Sequence, residues 1–280
     1  MQNYSLGLYE KAMPAGLSCR EKLATAAECG FDFVELSIDE TDEKLKRLDW
    51  TREERKQLCG VMFDTGMFFR SICLSGHRKY PLGSLDEKTR IRGMDIFKKA
   101  VELASDLGIR IIQLAGYDVY YEAGTEKTRE LFLAQLLRGT AFAAQAGIML
   151  GFETMETPFM DTVAKAMAYV RAVDSPYLGV YPDLGNLTNA AVLYGSPVCD
   201  DLESGRGHLV AMHLKETVPG TYREVPFGTG HVDFAAGIAT AWGLGVRRFV
   251  TELWDTGVGD WRGAVIQANT MMRRLLDAQS

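Results

Sequence analysis

A single (β/α)8 TIM barrel spanning residues 1–280 is the fold that the sequence predicts, and three observations point to it. Strand-like and helix-like segments alternate from end to end. The length of 280 residues lies near the roughly 250 typical of such a barrel, and no Pro/Ser-rich linker divides the chain. Four apolar runs in the second half each end in, or contain near their end, a residue able to bind a metal: Glu153, Asp183, His213 and Glu252, spaced 30, 30 and 39 residues apart. One such residue per repeat unit is what the C-terminal mouth of a barrel offers.

Eight strands are expected, at Ser5–Tyr9, Phe31–Ile38, Phe68–Leu74, Ile109–Ala115, Ile148–Glu153, Leu178–Tyr181, Leu209–Leu214 and Phe249–Leu253. Their near-continuous apolarity, as in Ile109-Arg-Ile-Ile-Gln-Leu, suits strands buried between a barrel interior and an outer ring of helices. The helices carry punctuation. Thr51 with Glu54, and Ser84 with Glu87, have capping-box spacing. Gly30, Gly66, Gly108, Gly147 and Gly245 each follow a helical pattern and precede a strand, where a glycine takes the left-handed conformation without a Cβ clash. The phrases "ECGFDFVEL", "DLGIRIIQL" and "QAGIMLGFE" repeat one helix–Gly–strand unit. No GxGxxG follows the first strand and no GxxxxGK[ST] is present, which excludes Rossmann and P-loop readings.

Composition bounds the partners. A hydrophobic fraction of 47% and a charged fraction of 24% are those of a globular domain with a large core. A net charge of −6 disfavours nucleic acid, while a small phosphate needs only two or three donors. No apolar run approaches a membrane span, and the first residues carry no basic-then-apolar leader. Cys19, Cys29, Cys59, Cys73 and Cys199 are odd in number and form no CxxC, so a reducing cytoplasm is the expected location. Barrels of this kind often pair, which admits a homodimer, although no segment reads as its interface.

Each ligand candidate has a plainer alternative: Glu153 and Glu252 as salt-bridged structural residues, Asp183 as a helix N-cap, His213 as a core histidine. Four coincidences at strands five to eight favour the metal. Three carboxylates and an imidazole make an oxygen-rich site for one divalent ion, Mn²⁺, Mg²⁺ or Co²⁺, with Zn²⁺ also compatible. Free coordination positions would chelate a ketose through its carbonyl and neighbouring hydroxyl, acidifying the C–H between them. Glu153 and Glu252, on different strands, would then exchange a proton on opposite faces, which is epimerisation.

The set Glu153, Asp183, His213 and Glu252 resembles that of the xylose-isomerase-like superfamily of sugar isomerases and ketose 3-epimerases, over essentially the whole chain. More narrowly, "FDFVELSIDETDEKLKRLDW", "SICLSGHRKYPLGS", "AGYDVYYE", "YPDLGNL", "HLKETVPG" and "VPFGTGHVDF" are similar to the L-ribulose-5-phosphate (L-xylulose-5-phosphate) 3-epimerases of L-ascorbate and L-xylulose catabolism. The resemblance implies a metal at the four residues, with the two glutamates as the acid/base pair. One departure stands out: epimerases of unphosphorylated ketohexoses carry a histidine three residues after the metal-binding Asp, and here that position is Asn186.

For the phosphate, two loops offer donors. Ser75, His77, Arg78 and Lys79 follow strand three; Lys215, Arg223 and the Gly228-Thr-Gly-His231 turn follow strand seven. Lys215 shares the face of His213, and Asn186 is placed to bond a sugar hydroxyl. Glu35 and the Tyr9–Glu10 pair enter the mouth after strands two and one, to orient hydroxyls or accept a ligand's proton. Tyr117, Tyr120, Tyr121 and Trp254 are expected as pocket walls or interface. Two rival activities remain on the same barrel: a sugar-phosphate aldose–ketose isomerase, such as a hexulose-phosphate isomerase, and an endonuclease-IV-like phosphodiesterase, which needs several zinc ions.

Overall fold

Eight parallel strands surround a central axis in the computed structural model, which describes residues 3–279. They are β1 (Ser5–Tyr9), β2 (Phe33–Ile38), β3 (Phe69–Leu74), β4 (Ile111–Ala115), β5 (Met149–Glu153), β6 (Leu178–Val180), β7 (Met212–Leu214) and β8 (Arg248–Thr251). All eight expected strands are present. The expected ends ran long by up to three residues, because Phe31, Ile109 and Leu209 are apolar without joining a ladder of several residues.

The ladder runs β6-β5-β4-β3-β2-β1-β8-β7, so its two free edges are β6 and β7. Two isolated parallel bridges close that seam, Val180 with Leu209 and Asp183 with His213. The backbone bonds are Val180 N to His208 O at 2.8 Å, Val210 N to Val180 O at 2.9 Å and His213 N to Pro182 O at 2.9 Å. Closure needs the backbones close together: a Cβ on Gly179 would lie 2.4 Å from the His208 carbonyl oxygen.

Alternation along the strands divides the core in two. Val34, Leu36 and Ile38 of β2 join the large cluster between sheet and helices, whereas Phe33 joins Tyr9, Cys73, Tyr181, Ala211 and Val250 in a smaller cluster inside the barrel. The same parity that turns Phe33 inward also turns Glu35 inward, and likewise Ser71 and Cys73, Gln113, Glu153 and His213. The upper barrel is therefore polar, and only hydrogen bonds or a cation make that burial tolerable.

The helix starts follow their caps. Thr51 and Glu54 form the expected box, with Glu54 N donating to Thr51 Oγ1 at 3.3 Å and Thr51 N to Glu54 at 2.7 Å. Ser84 does not cap. Asp86 takes that place and accepts from Thr89 N at 2.9 Å, while Ser84 Oγ accepts from Asp86 N at 3.2 Å. A carboxylate is a strong cap, and the chain uses the one nearest the first helical residue. Gly30, Gly66, Gly108, Gly147 and Gly245 all have positive φ, between 65° and 93°.

Glu10, expected near the mouth, turns away from it. Its buried carboxylate accepts from Ser37 N (2.9 Å), Lys22 Nζ (3.2 Å), Lys44 Nζ (2.7 Å) and Arg47 (2.5 and 2.9 Å). These partners come from four elements, so one carboxylate ties the turn after β1 to β2, to the helices 19–28 and 42–45 and to the 3₁₀ turn 46–49. Burial alone would raise its pKa, but Arg47 and then Lys44 and Lys22 overcome this and bring it to about 2, from an ordinary 4.5. A carboxylate with a depressed folded-state pKa contributes stability that is complete above 4.5 and lost as pH falls through 2; the shift corresponds to about 3 kcal/mol. Glu10→Gln is expected to lower unfolding free energy at pH 7 by about 3–5 kcal/mol, since it strands three buried cations. In urea titrations the gap between variant and native protein narrows from pH 4.5 down to pH 2; a gap that stays constant would show that the network contributes nothing through charge.

Candidate metal centre at the barrel mouth

Four side chains meet where β5 to β8 end. Glu153 closes β5, His213 sits within β7, Glu252 follows β8 directly, and Asp183 belongs to the bridge that closes the seam. All four are buried, and one potential ligand atom from each lies within 4.8 Å of the other three. His213 Nδ1 is the centre: Glu252 Oε2 lies at 3.0 Å, Glu153 Oε1 at 3.3 Å and Asp183 Oδ2 at 3.9 Å.

One ring nitrogen cannot serve three carboxylates by hydrogen bonding. Asp183 Oδ2 and Glu252 Oε2 accordingly accept no well-aligned hydrogen bond, although Lys215 Nζ stands 3.2 and 3.7 Å away. Burial and the neighbouring carboxylates push Asp183 well above the usual carboxylate range, whereas Lys215 and His213 draw Glu252 below it against its burial. Burial disfavours the charged imidazole, yet Glu35 and Glu252 raise the His213 pKa well above its ordinary value. The protein's own groups thus leave excess negative charge with two orphaned oxygens. A divalent cation fits that donor set, and Glu153, Asp183, His213 and Glu252 are the residues able to hold it.

Supporting contacts fix three of the four side chains. His213 Nε2 bonds Glu35 Oε1 at 2.6 Å, which leaves Nδ1 facing the three carboxylates. Glu35 is itself held by Ser71 Oγ at 2.6 Å and Tyr181 OH at 3.0 Å. Gln113 Nε2 donates to Glu153 Oε2. Asp183 also caps the helix 184–194, its Oδ1 accepting from Asn186 N at 2.6 Å, so the plainer alternative for this residue is present, while its Oδ2 still faces the cluster.

A cleft above the four residues is lined by Tyr9, Lys11, Cys73, Ser75, Arg78, Met155, Glu156, Asn186, Lys215, Tyr222, Arg223 and Trp254. Of the predicted contacts, the fold brings Ser75, Arg78, Asn186, Lys215 and Arg223 together there. Asn186 Nδ2 is spent on Thr154 O at 2.7 Å, leaving its buried Oδ1 without a partner. Glu35 lies beneath, behind His213. His77 is not brought in: it stacks on Phe97, bonds the Gly93 carbonyl at 3.1 Å, and burial holds its pKa down to about 4. His231 is not among the cleft residues, and its Nε2 pairs with Thr217 Oγ1 at 3.1 Å. The glycine turn before it is already filled, because the Glu216 carboxylate accepts from Gly228 N at 3.0 Å and Val232 N at 3.2 Å. A Cβ on Gly230 would lie 2.3 Å from that carboxylate.

Sequence reading missed Glu156, Gln113, Ser71 and Tyr181. The last three were accessible through strand parity, since each shares the inward face of a candidate ligand or of Glu35. Glu156, in the loop after β5, has no periodic signal.

The model of the xylose isomerase-like TIM barrel family matches residues 23–275. The chain belongs to that family. Within it, the L-ribulose-5-phosphate 3-epimerase UlaE of Shigella sonnei (strain Ss046) is 42% identical over 269 residues, covering 96% of this chain and 93% of its own. UlaE of Escherichia coli O157:H7 matches to the same extent. The family's barrel is also seen in solved structures: an L-ribulose 3-epimerase (TM-score 0.78, 19% identity, 99% and 95% coverage) and a D-psicose 3-epimerase of Clostridium cellulolyticum H10 with D-tagatose (TM-score 0.82, 14% identity, 97% and 99% coverage). These are likenesses of fold.

Glu35→Gln is expected to weaken divalent-metal binding about 10- to 100-fold, because Nε2–H loses its charged acceptor and the ring its fixed orientation. Calorimetric titration of metal-stripped protein with Mn²⁺ or Co²⁺ measures this. Unaltered affinity in a folded variant would remove Glu35 from the metal site.

Proposed function

We propose that the protein is a metal-dependent 3-epimerase that interconverts L-ribulose 5-phosphate and L-xylulose 5-phosphate. The observation that carries this reading is the placement of Glu153 and Glu252: they come from β5 and β8 and reach the same imidazole nitrogen, at 3.3 and 3.0 Å, from different sides of the barrel. The 42% identity to UlaE over nearly the whole of both chains supports the substrate.

A bound divalent ion, Mn²⁺, Co²⁺, Mg²⁺ or Zn²⁺, supplies positive charge against the negative charge that develops as a C–H proton leaves. The protein supplies the rest. One glutamate, ionised, takes the proton from C3; the other, protonated, gives one to the opposite face of C3, so that configuration inverts and no proton is lost overall. Lys215, buried within 3.7 Å of both Asp183 and Glu252, donates to a substrate oxygen, and Asn186 Oδ1 accepts from a hydroxyl. Tyr9, Met155 and Trp254 wall the cleft and limit water near the reacting carbon.

Arg78 and Arg223 hold the phosphate. With the glycine turn taken by Glu216, and Lys215 drawn to Asp183 and Glu252 at 3.2 and 3.7 Å, the arginines of the β3 and β7 loops are the remaining strong donors among the cleft residues expected to bind it. Arg78 lies over the rings of Tyr117 and Tyr120 at 5.7 and 4.7 Å, bonds Tyr117 OH at 3.4 Å, and has a buried Nε without a partner. Unlike Arg223, it forms no ion pair among the described residues. The two arginines thus replace the two separate loops considered from sequence. Residues 1–280 are read as one domain, and five free cysteines support a reducing, cytoplasmic location. A multi-zinc phosphodiesterase is disfavoured by a cluster with one histidine.

Incubation of L-xylulose 5-phosphate with the enzyme in deuterated water is expected to place label at C3; label confined to C1 would identify an aldose–ketose isomerase instead. Glu153→Gln and Glu252→Gln are each expected to reduce turnover by about 10²- to 10⁴-fold. Chelation is expected to abolish turnover and added Mn²⁺ or Co²⁺ to restore it. Full activity in either variant with metal bound would refute the two-base assignment.

A further inference from the structure

Beside the two arginines lies a carboxylate that proton exchange does not use. Glu156 Oε2 accepts from Tyr117 OH at 2.7 Å, and Oε1 accepts from Tyr120 OH at 3.2 Å and Arg223 at 3.0 Å. Its side chain is 18% exposed, and Arg78 packs on the same two tyrosine rings that hold it. Two hydroxyls and a guanidinium, with a second guanidinium alongside, make an anion site, and the anion in it is the protein's own.

A phosphate arriving at Arg223 would meet that carboxylate as a like charge, so the two cannot both hold the guanidinium at full strength. Glu156 can yield cheaply. Tyr117 and Tyr120 continue to donate to it once Arg223 leaves, so no buried carboxylate is orphaned. A neutral hydroxyl has no comparable means of displacing a carboxylate from arginine, because charge-assisted bonds are roughly twice as strong as neutral ones.

We propose that Glu156 is a specificity residue that occupies the phosphate subsite in the free protein: it holds Arg223 until a phosphate displaces it, and so reserves the arginines for phosphorylated substrates. This rests on the reading of Arg78 and Arg223 as the phosphate contacts.

The test is inorganic phosphate binding to the metal-loaded enzyme, by calorimetry and by competitive inhibition, in native protein, Glu156→Gln and Arg223→Gln. Removing the competing charge in Glu156→Gln is expected to tighten phosphate about three- to fivefold, the scale of a partly exposed ion pair, and to lower KM for the sugar phosphate by more than it changes kcat. Arg223→Gln is expected to weaken phosphate at least about tenfold. Weaker or unchanged phosphate binding in Glu156→Gln, with Arg223→Gln impaired, overturns the placeholder and leaves the arginine reading standing. Unchanged binding in Arg223→Gln and also in Arg78→Gln overturns the arginine reading itself. Should Glu156→Gln fail to fold, a crystal structure of native protein with phosphate decides: an opened Glu156–Arg223 pair with phosphate on Arg223 is the expected result, and a pair still closed at about 3 Å overturns the proposal.

Discussion

Three carboxylates buried around one imidazole nitrogen are the constraint on which the rest of this molecule depends. Each would resist burial alone, and together they repel. Lys215 and His213 are the cations within reach among the described residues, and they leave Asp183 Oδ2 and Glu252 Oε2 without hydrogen bonds. A barrel tolerates such a cluster because its ladder fixes the strand ends independently of what they carry. Here the dependence also runs the other way. The Asp183–His213 bridge helps to close the seam between β6 and β7, so half of the cluster is also part of the closure of the barrel.

Preorganisation follows from the layer beneath. Glu35 holds the ring of His213, Gln113 holds Glu153, and Thr154 Oγ1 receives Asp183 N at 3.0 Å. Each of these partners is buried and most sit on strands, so their positions cost little additional order. Glu10 does comparable work outside the barrel wall, where its four-way network anchors the turn that carries Tyr9 into the cleft.

What the sequence made legible was what is local and periodic. Glu153, Asp183, His213 and Glu252 could be found because each ends a short apolar run and the spacing repeats; Glu35 could be found because strand parity turns it inward. Where a choice depends on residues distant in sequence, the reading went astray. The Gly228–His231 turn looks like an anion site, and it is one, but its anion is Glu216, placed by the fold of the intervening loop. His77 sits in a cationic segment, yet the 3₁₀ turn 76–78 that carries it packs the ring against Phe97. Ser84 lost its cap to Asp86 because Asp86 directly precedes the first helical residue, Glu87, whereas Ser84 lies three residues before it. Glu10 looked like a mouth residue because it follows β1, and nothing in the local sequence announces Lys22, Lys44 and Arg47.

The division between legible and illegible residues coincides with a division of labour. The clustered carboxylates and imidazole lie on strands, one residue beyond them or, for Asp183, in the bridge that closes the seam, where position is set by backbone hydrogen bonds. Groups that would read the rest of the substrate, Arg78, Arg223, Tyr222 and Glu156, lie on loops and are positioned by one another's side chains. A net charge of −6 therefore does not by itself exclude an anionic substrate, because charge summed over the surface matters less at contact than Arg78 held on aromatic rings and Arg223 held on a carboxylate. It also follows that the chemistry and the recognition are separable in this architecture. A loop substitution can change which molecule is bound without disturbing the ligand cluster, whereas a change at Asp183 or His213 reaches the closure of the barrel as well as the site.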